Sequence, residues 1–173
     1  MALGKDYPDQ DCSLARALEL LGERWTMLIV RDAFYGVRRY NDFLVHLDVP
    51  RAVLAERLTA LTNAGVLARH RYQEAPPRDE YVLTEMGLGL WPTLHSLARW
   101  GDRHLGSEKG PKRLFVHVGC DTRLDALAQC PTCGQVDPAE VEMRPGPGAD
   151  PFRTDRVSVA LRQPHRMLEP VLA

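Results

Sequence analysis

The sequence predicts an α+β protein in which a mostly helical N-terminal domain carries a β-hairpin and precedes a small β-rich appendage. Two observations lead to this prediction. Apolar residues recur with the helical period up to residue 65 and again from 84 to 105, whereas the stretch between them alternates with a period of two. Beyond residue 106 the helical period is lost, and three of the four cysteines lie there among short apolar runs. The chain therefore combines a helical domain with a smaller unit of different architecture.

The first helical stretch divides into four segments, each ended by a glycine or a turn sequence. Leu14, Leu18 and Leu21 mark the first helix, and Gly22 ends it. The fourth helix begins at Pro50, because proline suits the first position of a helix. The predicted helices cover residues 14–21, 25–35, 40–47 and 50–64.

A hairpin and a last helix follow. Residues 66–72 and 80–83 are the two predicted strands, and the loop 73–78 between them contains two prolines. Thr84 can cap the N-terminus of the last helix. Pro92 lies inside the helical pattern, so we expect it to kink that helix or to restart it, since proline donates no backbone hydrogen bond.

This order of elements is the winged form of a helix-turn-helix, in which the fourth helix enters the major groove of DNA. Arg51 can donate two hydrogen bonds to a guanine, and the methyl groups of Ala52 and Ala55 can contact a thymine methyl. Arginines of the hairpin would contact phosphates or the minor groove. The candidate DNA-binding residues are Arg38, Arg39, Pro50, Arg51, Ala52, Ala55, Glu56, Arg69, Arg71 and Arg78.

Local charge supports this interpretation, although the net charge of −1 does not. Between residues 38 and 78 there are seven arginines and four acidic residues, and the excess falls on the helix and hairpin that would meet the duplex. Two other interpretations stay open. The arginines can be an ordinary solvated surface, or the domain can be a protein-interaction module whose basic face is incidental.

Several runs carry a resemblance to a known family, among them Pro76-Pro-Arg-Asp-Glu-Tyr-Val-Leu-Thr84 in the hairpin and Trp100-Gly101. Runs 25–36, 38–43, 53–65 and Gly87 add to it. Over roughly residues 12–105 the chain resembles the HxlR-type winged-helix transcriptional regulators, relatives of the MarR-like group. The resemblance implies a homodimeric, sequence-specific DNA-binding repressor or activator that pairs through its terminal helices. Asp48-Val49-Pro50 stands where the family usually has Gly-Ile-Ser, so base contacts are not transferred from relatives.

The terminal helices carry more apolar surface than one thin domain can cover. Trp91, Leu94, Leu97 and Trp100 are examples, and they either fill the monomer core or pair two copies. A symmetric dimer would match double-stranded DNA with a palindromic operator. Trp91, Trp100 and His95 can also line a pocket for a small-molecule effector, or they can merely pack.

Cys12 precedes the first helix and is a candidate redox sensor. The family resemblance implies that a cysteine at this position responds to electrophiles or oxidants in several members. The helix dipole would favour a thiolate there, whereas Asp9 and Asp11 would disfavour it. A sensing thiol and an idle thiol both remain open.

The motif Cys130-Pro-Thr-Cys133-Gly has the form of half a zinc ribbon. His117 and Cys120 show the same two-residue gap, and nine residues separate Cys120 from Cys130. We therefore predict a structural zinc site of His117, Cys120, Cys130 and Cys133, framed by strands at 114–116 and 157–161. With four protein ligands no position is left for a catalytic water. The alternatives are a metal-free or disulfide-capable thiol cluster and a thiol-dependent redox enzyme that uses this motif. A thioredoxin-like site would need the motif at the start of a helix, where none is predicted.

Polar segments rich in glycine and proline at 106–111 and 144–149 divide the chain. We expect a winged helix-turn-helix and dimerisation domain at 1–106, a Cys-containing β appendage at 107–148 and a C-terminal tail at 149–173. No apolar run approaches the roughly 18 residues of a spanning helix, and the N-terminus lacks an apolar signal region. We therefore expect a cytoplasmic protein with no membrane partner.

Overall fold

The N-terminal part forms helices and a hairpin in the predicted order. The computed structural model describes residues 6–172, so residues 1–5 and 173, at the ends of the first and last predicted segments, lie outside the described residues. The elements are α1 (Ser13–Leu21), α2 (Thr26–Phe34), α3 (Tyr40–Leu47), α4 (Arg51–Asn63), β1 (Leu67–Gln73), β2 (Arg78–Leu83), α5 (Glu85–Leu88) and α6 (Trp91–Leu105). The prediction of a winged helix-turn-helix is confirmed.

The turn between α3 and α4 depends on Asp48 and Pro50. Asp48 has a left-handed backbone, with φ 52° and ψ 43°, and its N–H donates to the carbonyl of Leu44 at 3.0 Å. Few residues other than glycine adopt this conformation, but aspartate tolerates it better than most. The sequence predicts Pro50 at the first helical position. Pro50 is instead the N-cap residue, and α4 begins one residue later, at Arg51. Val49, between Asp48 and Pro50, is buried.

The stretch after the hairpin is two helices, because Pro92 restarts the helix. The hydroxyl of Thr84 accepts a hydrogen bond from the N–H of Gly87 at 3.2 Å and also bonds to the carbonyl of Gly65 at 2.5 Å. The predicted cap is therefore confirmed. α5 ends at Leu88, and Pro92 occupies the first turn of α6, where its missing N–H has no helical partner to lose.

The C-terminal part is a four-stranded antiparallel sheet with one short helix. Its elements are β3 (Arg113–His117), β4 (Thr122–Arg123), β5 (Val141–Pro145), α7 (Arg156–Ala160) and β6 (His165–Arg166), and the strand order is β4-β3-β5-β6. The predicted strand at 114–116 is confirmed, but the one at 157–161 is wrong. Residues 157–160 lie in α7 and Leu161 is its C-cap, because Asp155 accepts a hydrogen bond from the N–H of Ser158 at 2.9 Å and caps the start of the helix. Val157 and Leu161 then share one buried face.

The last residues of the chain return to the end of α2. The N–H of Leu168 donates to the carbonyl of Phe34 at 2.9 Å, and the N–H of Val171 donates to the carbonyl of Gly36 at 3.1 Å. Gly36 has φ +81°, and a Cβ built on it would lie 1.6 Å from the carbonyl oxygen of Glu169. Only glycine permits this close passage of two backbones.

One apolar core joins the helices to the sheet. Trp91 on α6 packs against Phe34 on α2 with ring centroids 5.4 Å apart and against Phe115 on β3 at 5.1 Å. Met143 and Met167 extend the same core into the C-terminal part, and both are almost fully buried. Within residues 6–172, no helix has the length and apolar character needed to cross a membrane.

Candidate DNA interface and metal centre

The N-terminal half of α4 presents an exposed face that carries the predicted base-contacting residues. Leu54, Leu58 and Leu61 bury the opposite face. Arg51 is exposed at the start of the helix, and its side chain forms no hydrogen bond or ion pair within residues 6–172. Arg51 is therefore available to a ligand. The other exposed positions of this face are Pro50, Ala52, Ala55 and Glu56.

Glu56 differs from its neighbours because it is engaged in an ion pair. Its carboxylate accepts a hydrogen bond from Arg57, which is buried and whose guanidinium also lies 3.7 Å from Glu23. A buried arginine keeps its carboxylate partners because an unpaired charge there costs several kcal/mol. The structure thus gives Glu56 a role in holding Arg57.

The hairpin carries three of the predicted arginines on its exposed surface. On β1, Arg69 and Arg71 both donate to Asp79 on β2, with Nε–oxygen distances of 2.8 and 2.6 Å. The hydrogen bond from Arg71, followed by that from Arg69, lowers the pKa of the Asp79 carboxyl. Arg78 is exposed at the start of β2 and has no hydrogen-bond or ion-pair partner among residues 6–172. Arg78 is therefore the hairpin arginine whose side chain has the fewest hydrogen bonds and ion pairs with the described residues.

Arg38 and Arg39 lie at the base of the hairpin and point to different partners. Arg38 donates to the carbonyl of Leu168 at 2.9 Å, and so faces the returning C-terminal segment. Arg39 pairs with Glu80 at 3.3 Å and lies over the ring of Tyr72, 5.0 Å from its centroid. Arg39 therefore contacts the hairpin, whereas Arg38 contacts the C-terminal part.

Two hairpin residues that the sequence analysis missed are Asp79 and Tyr72. Asp79 faces Arg71 in the register of the hairpin, so the strand pairing would have shown it as the partner of the arginines. Tyr72 is 42% exposed although it is a large aromatic residue. The signal for Tyr72 was its place at the strand end, next to the loop.

His117, Cys120, Cys130 and Cys133 form one cluster, and their ligand atoms all lie within 4.8 Å of one another. The His117 Nδ1 and Cys120 Sγ atoms are 3.2 Å apart, and the Cys120 and Cys130 sulfurs are 3.4 Å apart. A disulfide would bring two sulfurs to about 2.05 Å, whereas ligands around one tetrahedral zinc ion lie about 3.5–3.8 Å apart. The sulfurs are too far apart for a disulfide, and the four residues form a group that could hold one metal ion.

Two local turns hold the cluster. His117 ends β3, and the turn after it brings Cys120 back through a hydrogen bond from the Cys120 N–H to the His117 carbonyl at 3.4 Å. Cys130 and Gly134 exchange two backbone hydrogen bonds of 2.8 Å, and Gly134 has φ +82°. The N–H of Cys133 points to the Cys130 sulfur at 3.4 Å. The two cysteines of the motif therefore lie in a tight turn and not at the start of a helix.

The thiols of this cluster differ in acidity. Hydrogen bonding from Thr122 lowers the pKa of Cys120 to about 6, whereas the interaction with Cys120 raises the pKa of Cys133 to about 11. The thiolates oppose one another's ionisation because their charges repel. A divalent cation between them would remove that repulsion.

Cys12 is exposed and caps α1 without a side-chain hydrogen bond. It is not part of the cluster. The structure places its thiol at the surface next to Leu14, which is also exposed.

The chain is similar to known regulators over most of its length. A family model described as HxlR-like helix-turn-helix matches residues 20–109. An HTH-type transcriptional regulator of Mycobacterium tuberculosis is 42% identical over 137 residues, which is 79% of this chain and 87% of that protein. The regulator YdeP of Bacillus subtilis is 30% identical over 106 residues, 59% of this chain and 83% of its own.

Solved structures show the same similarity. PA1607, described as a transcription factor, superposes with a TM-score of 0.54 at 31% identity, over 84% of this chain and 95% of that one. The reduced form of the redox regulator HypR superposes with a TM-score of 0.50 at 27% identity, over 54% of this chain and 96% of that one. The His/Cys cluster lies beyond residue 109, where the family match ends.

Proposed function

The chain belongs to the HxlR-like helix-turn-helix family of transcriptional regulators, and from this premise we propose that it binds a palindromic element in double-stranded DNA as a homodimer. The exposed N-terminal face of α4 carries this proposal. Its apolar face is buried in the core, while Arg51 projects from the first turn without a partner among the described residues. A helix presented in this way can enter the major groove with Arg51 at a guanine edge.

In this proposal the hairpin supplies phosphate contacts. Arg69 and Arg71 retain unused donors after binding Asp79, and Arg78 retains all of its donors within the described residues. Phosphate contacts position the protein without reading sequence, whereas base contacts specify the site. Replacing Arg51 should therefore reduce sequence preference, whereas replacing Arg78 should reduce the affinity for any DNA.

The test is fluorescence-anisotropy titration of the purified protein against a fragment from upstream of its own gene and against a scrambled fragment of equal length. Arg51→Ala should lower the preference for the promoter fragment, at a cost of about 1–3 kcal/mol for a lost base contact. Arg78→Ala should weaken binding to both fragments equally. It should also reduce the slope of the logarithm of the binding constant against the logarithm of salt concentration by about 1. Arg166→Ala, on β6 outside this face, is the control. Equal binding of both fragments by the wild-type protein would refute sequence-specific recognition.

The homodimer is supported by apolar side chains that the monomer leaves exposed on α1 and α6. They are Leu14 (65%), Leu18 (42%), Leu97 (54%), Trp100 (54%) and Leu105 (78%). Several large apolar groups left exposed on the two terminal helices are typical of a surface that a second copy covers. In analytical ultracentrifugation the wild-type protein should sediment as a dimer and Trp100→Glu as a monomer. Val45→Glu changes another exposed apolar residue, on α3, and is the control that should stay dimeric.

For the Cys3His cluster we propose a structural zinc ion. One nitrogen and three sulfurs in a cluster of this size suit tetrahedral zinc. Bound zinc would join the end of β3 to the turn at 130–133. The protein purified without chelator should contain one zinc per chain by mass spectrometry, and Cys130→Ser should lose it.

We also propose that the protein acts in the cytoplasm, where DNA is accessible.

We further propose that Cys12 is a sensor thiol. The exposure of the Cys12 thiol at the start of α1 supports this role, since adducts there would disturb the proposed dimer surface. Intact-mass measurement after quinone treatment, with Cys12→Ser beside it, tests the sensor. Reduction of insulin disulfides by the wild-type protein but not by Cys133→Ser would instead favour the rival thiol enzyme.

A further inference from the structure

A large cavity lies between helices α2, α3 and α6 and the C-terminal sheet. Its volume is about 610 Å³, and its wall combines α2, α3, α6, β3 and the loop before α7. Six of the lining residues are cations: Arg31, Arg99, Lys112, Arg113, Arg153 and Arg162. They come from five separate segments of the chain, so the fold alone assembles this concentration of positive charge.

The protein compensates this charge only in part. Asp102 and Asp150 line the cavity, and Asp32 and Asp155 lie behind it as partners of Arg31 and Arg153. The six cations therefore outnumber these four carboxylates.

Several of these guanidinium groups bind neutral carbonyls, which satisfy hydrogen bonds but leave the charge in place. Arg113 donates to the carbonyl of Leu161 at 3.0 Å, and Arg162 donates to the carbonyls of Pro151 at 2.8 Å and Arg153 at 2.7 Å. Burial lowers the pKa of the Arg113 guanidinium, and the charge of Arg31 acts in the same direction. An anion in the cavity would relieve both effects.

An apolar chamber of about 230 Å³ adjoins the cationic cavity and shares Arg31, Tyr35, Ala98 and Phe115 with it. The rest of its wall is mostly apolar, from α2 and α6, and includes Met27, Leu28, Trp91, Leu94 and Leu97.

Two buried ring nitrogens in the chamber wall, Trp91 Nε1 and His95 Nδ1, have no hydrogen-bond partner among the described residues. His95 Nε2 lies 2.8 Å from the carbonyl of Asp125, so Nε2 carries the proton and Nδ1 is an acceptor. Unsatisfied buried groups are rare in native proteins and call for an explanation.

We propose that the cationic cavity and the apolar chamber together bind one small organic carboxylate with an aromatic or aliphatic body. The carboxylate lies among the arginines, where guanidinium groups offer charge-assisted, bidentate hydrogen bonds. The apolar body occupies the chamber against Tyr35 and Phe115. The shared residues make a single ligand with one charged end and one apolar end the best match to the combined shape.

The ligand would contact elements that position the DNA-binding helix. His46 lines the cavity from α3, and α3 leads through the Asp48 turn into α4. Arg99 and Ala98 line it from α6, whose exposed face carries Trp100. Regulation of DNA binding by this ligand rests on the function proposed above, whereas binding itself does not.

Isothermal titration calorimetry of the zinc-loaded, DNA-free protein with 1-naphthaleneacetate tests the site. The probe should bind once per chain, and the neutral 1-naphthaleneacetamide should bind about tenfold or more weakly, because a charged hydrogen bond is lost. Arg113→Gln and, independently, the exposed Lys112→Gln should weaken the acid but not the amide. Arg166→Gln is the matched control, because Arg166 also lies on the sheet and donates to a backbone carbonyl, that of Ala139, outside the cavity.

Each outcome has a defined meaning. Equal affinity for acid and amide, equal effects of Arg113→Gln and Arg166→Gln, or no saturable binding would overturn the proposal. Inorganic phosphate binding as tightly as the acid would overturn the role of the apolar chamber. The anisotropy titration with promoter DNA is read separately: ligand binding without DNA binding refutes the proposed function, and DNA binding without ligand binding refutes only this inference.

Discussion

Replacing Gly36 by alanine should destabilise the protein far more than the same change at Gly65. Both glycines have positive φ, +81° and +76°, so both substitutions carry the backbone cost of the left-handed region. The two positions differ in the room available for an added Cβ atom. A Cβ at Gly65 meets nothing within 4 Å, whereas a Cβ at Gly36 would overlap the carbonyl oxygen of Glu169 at 1.6 Å. The pair therefore separates backbone strain from the contact with the C-terminal segment.

The magnitude follows from the contacts that must open. The left-handed conformation costs an L-residue about 1–2 kcal/mol, which is the whole effect expected for Gly65→Ala. At Gly36 the segment around Glu169 must also move, and the hydrogen bonds from Leu168 to Phe34 and from Val171 to Gly36 are lost at about 1 kcal/mol each. Partial exposure of Met167, which is 1% exposed, adds about 1–2 kcal/mol. The total for Gly36→Ala is about 4–6 kcal/mol.

Urea unfolding followed by tryptophan fluorescence measures both changes on zinc-loaded protein. Gly36→Ala should lower the free energy of unfolding by about three times as much as Gly65→Ala. Hydrogen exchange should show loss of protection at Leu168 and Val171 in Gly36→Ala alone. Equal destabilisation by the two variants would show that the C-terminal segment does not pack on Gly36.

Three further substitutions test other features. Asp48→Val should lower the free energy of unfolding by about 1–2 kcal/mol in urea titration, because a β-branched residue is strained at φ 52°, and Asp48→Asn should leave it unchanged. Asp32→Asn should cost about 3 kcal/mol by the same measurement, because the buried carboxylate bonds Arg31 and His46 at 2.7 Å each; a loss under 1 kcal/mol would contradict this. Cys130→Ser should lower the thermal midpoint to that of chelator-treated wild-type protein. If chelator lowers the midpoint of Cys130→Ser further, the metal lies elsewhere.

The N-terminal fold was predictable because its signals are local. The leucines of α4 recur within one helix, and the change to period two marks the hairpin directly. The four candidate metal ligands were also predictable, since each pair lies in one turn. Cys120 joins the two pairs, because its sulfur lies 3.2 Å from His117 Nδ1 and 3.4 Å from the Cys130 sulfur.

Features made by distant segments were not predictable in this way. Val157 and Val159 suggested a strand, but the cap at Asp155 and the burial of Leu161 decided for a helix. The cationic cavity draws residues from positions 31 to 162, and no spacing in the sequence relates them. The sequence groups Arg38 with the hairpin arginines, but its guanidinium donates to the carbonyl of Leu168, a partner 130 residues away.

The return of the C-terminal segment to α2 has a consequence for how the molecule is made. The Arg38–Leu168 contact spans 130 residues of chain, so the chain must be synthesised beyond Leu168 before the end of α2 acquires these hydrogen bonds. Contacts of such long sequence separation form late and slow folding. Until then, the nascent chain would carry a DNA-binding domain that lacks these hydrogen bonds. A chain cut short before Met167 would leave the carbonyls of Phe34 and Gly36 unpaired, and it would be a better substrate for cellular proteases than the finished protein.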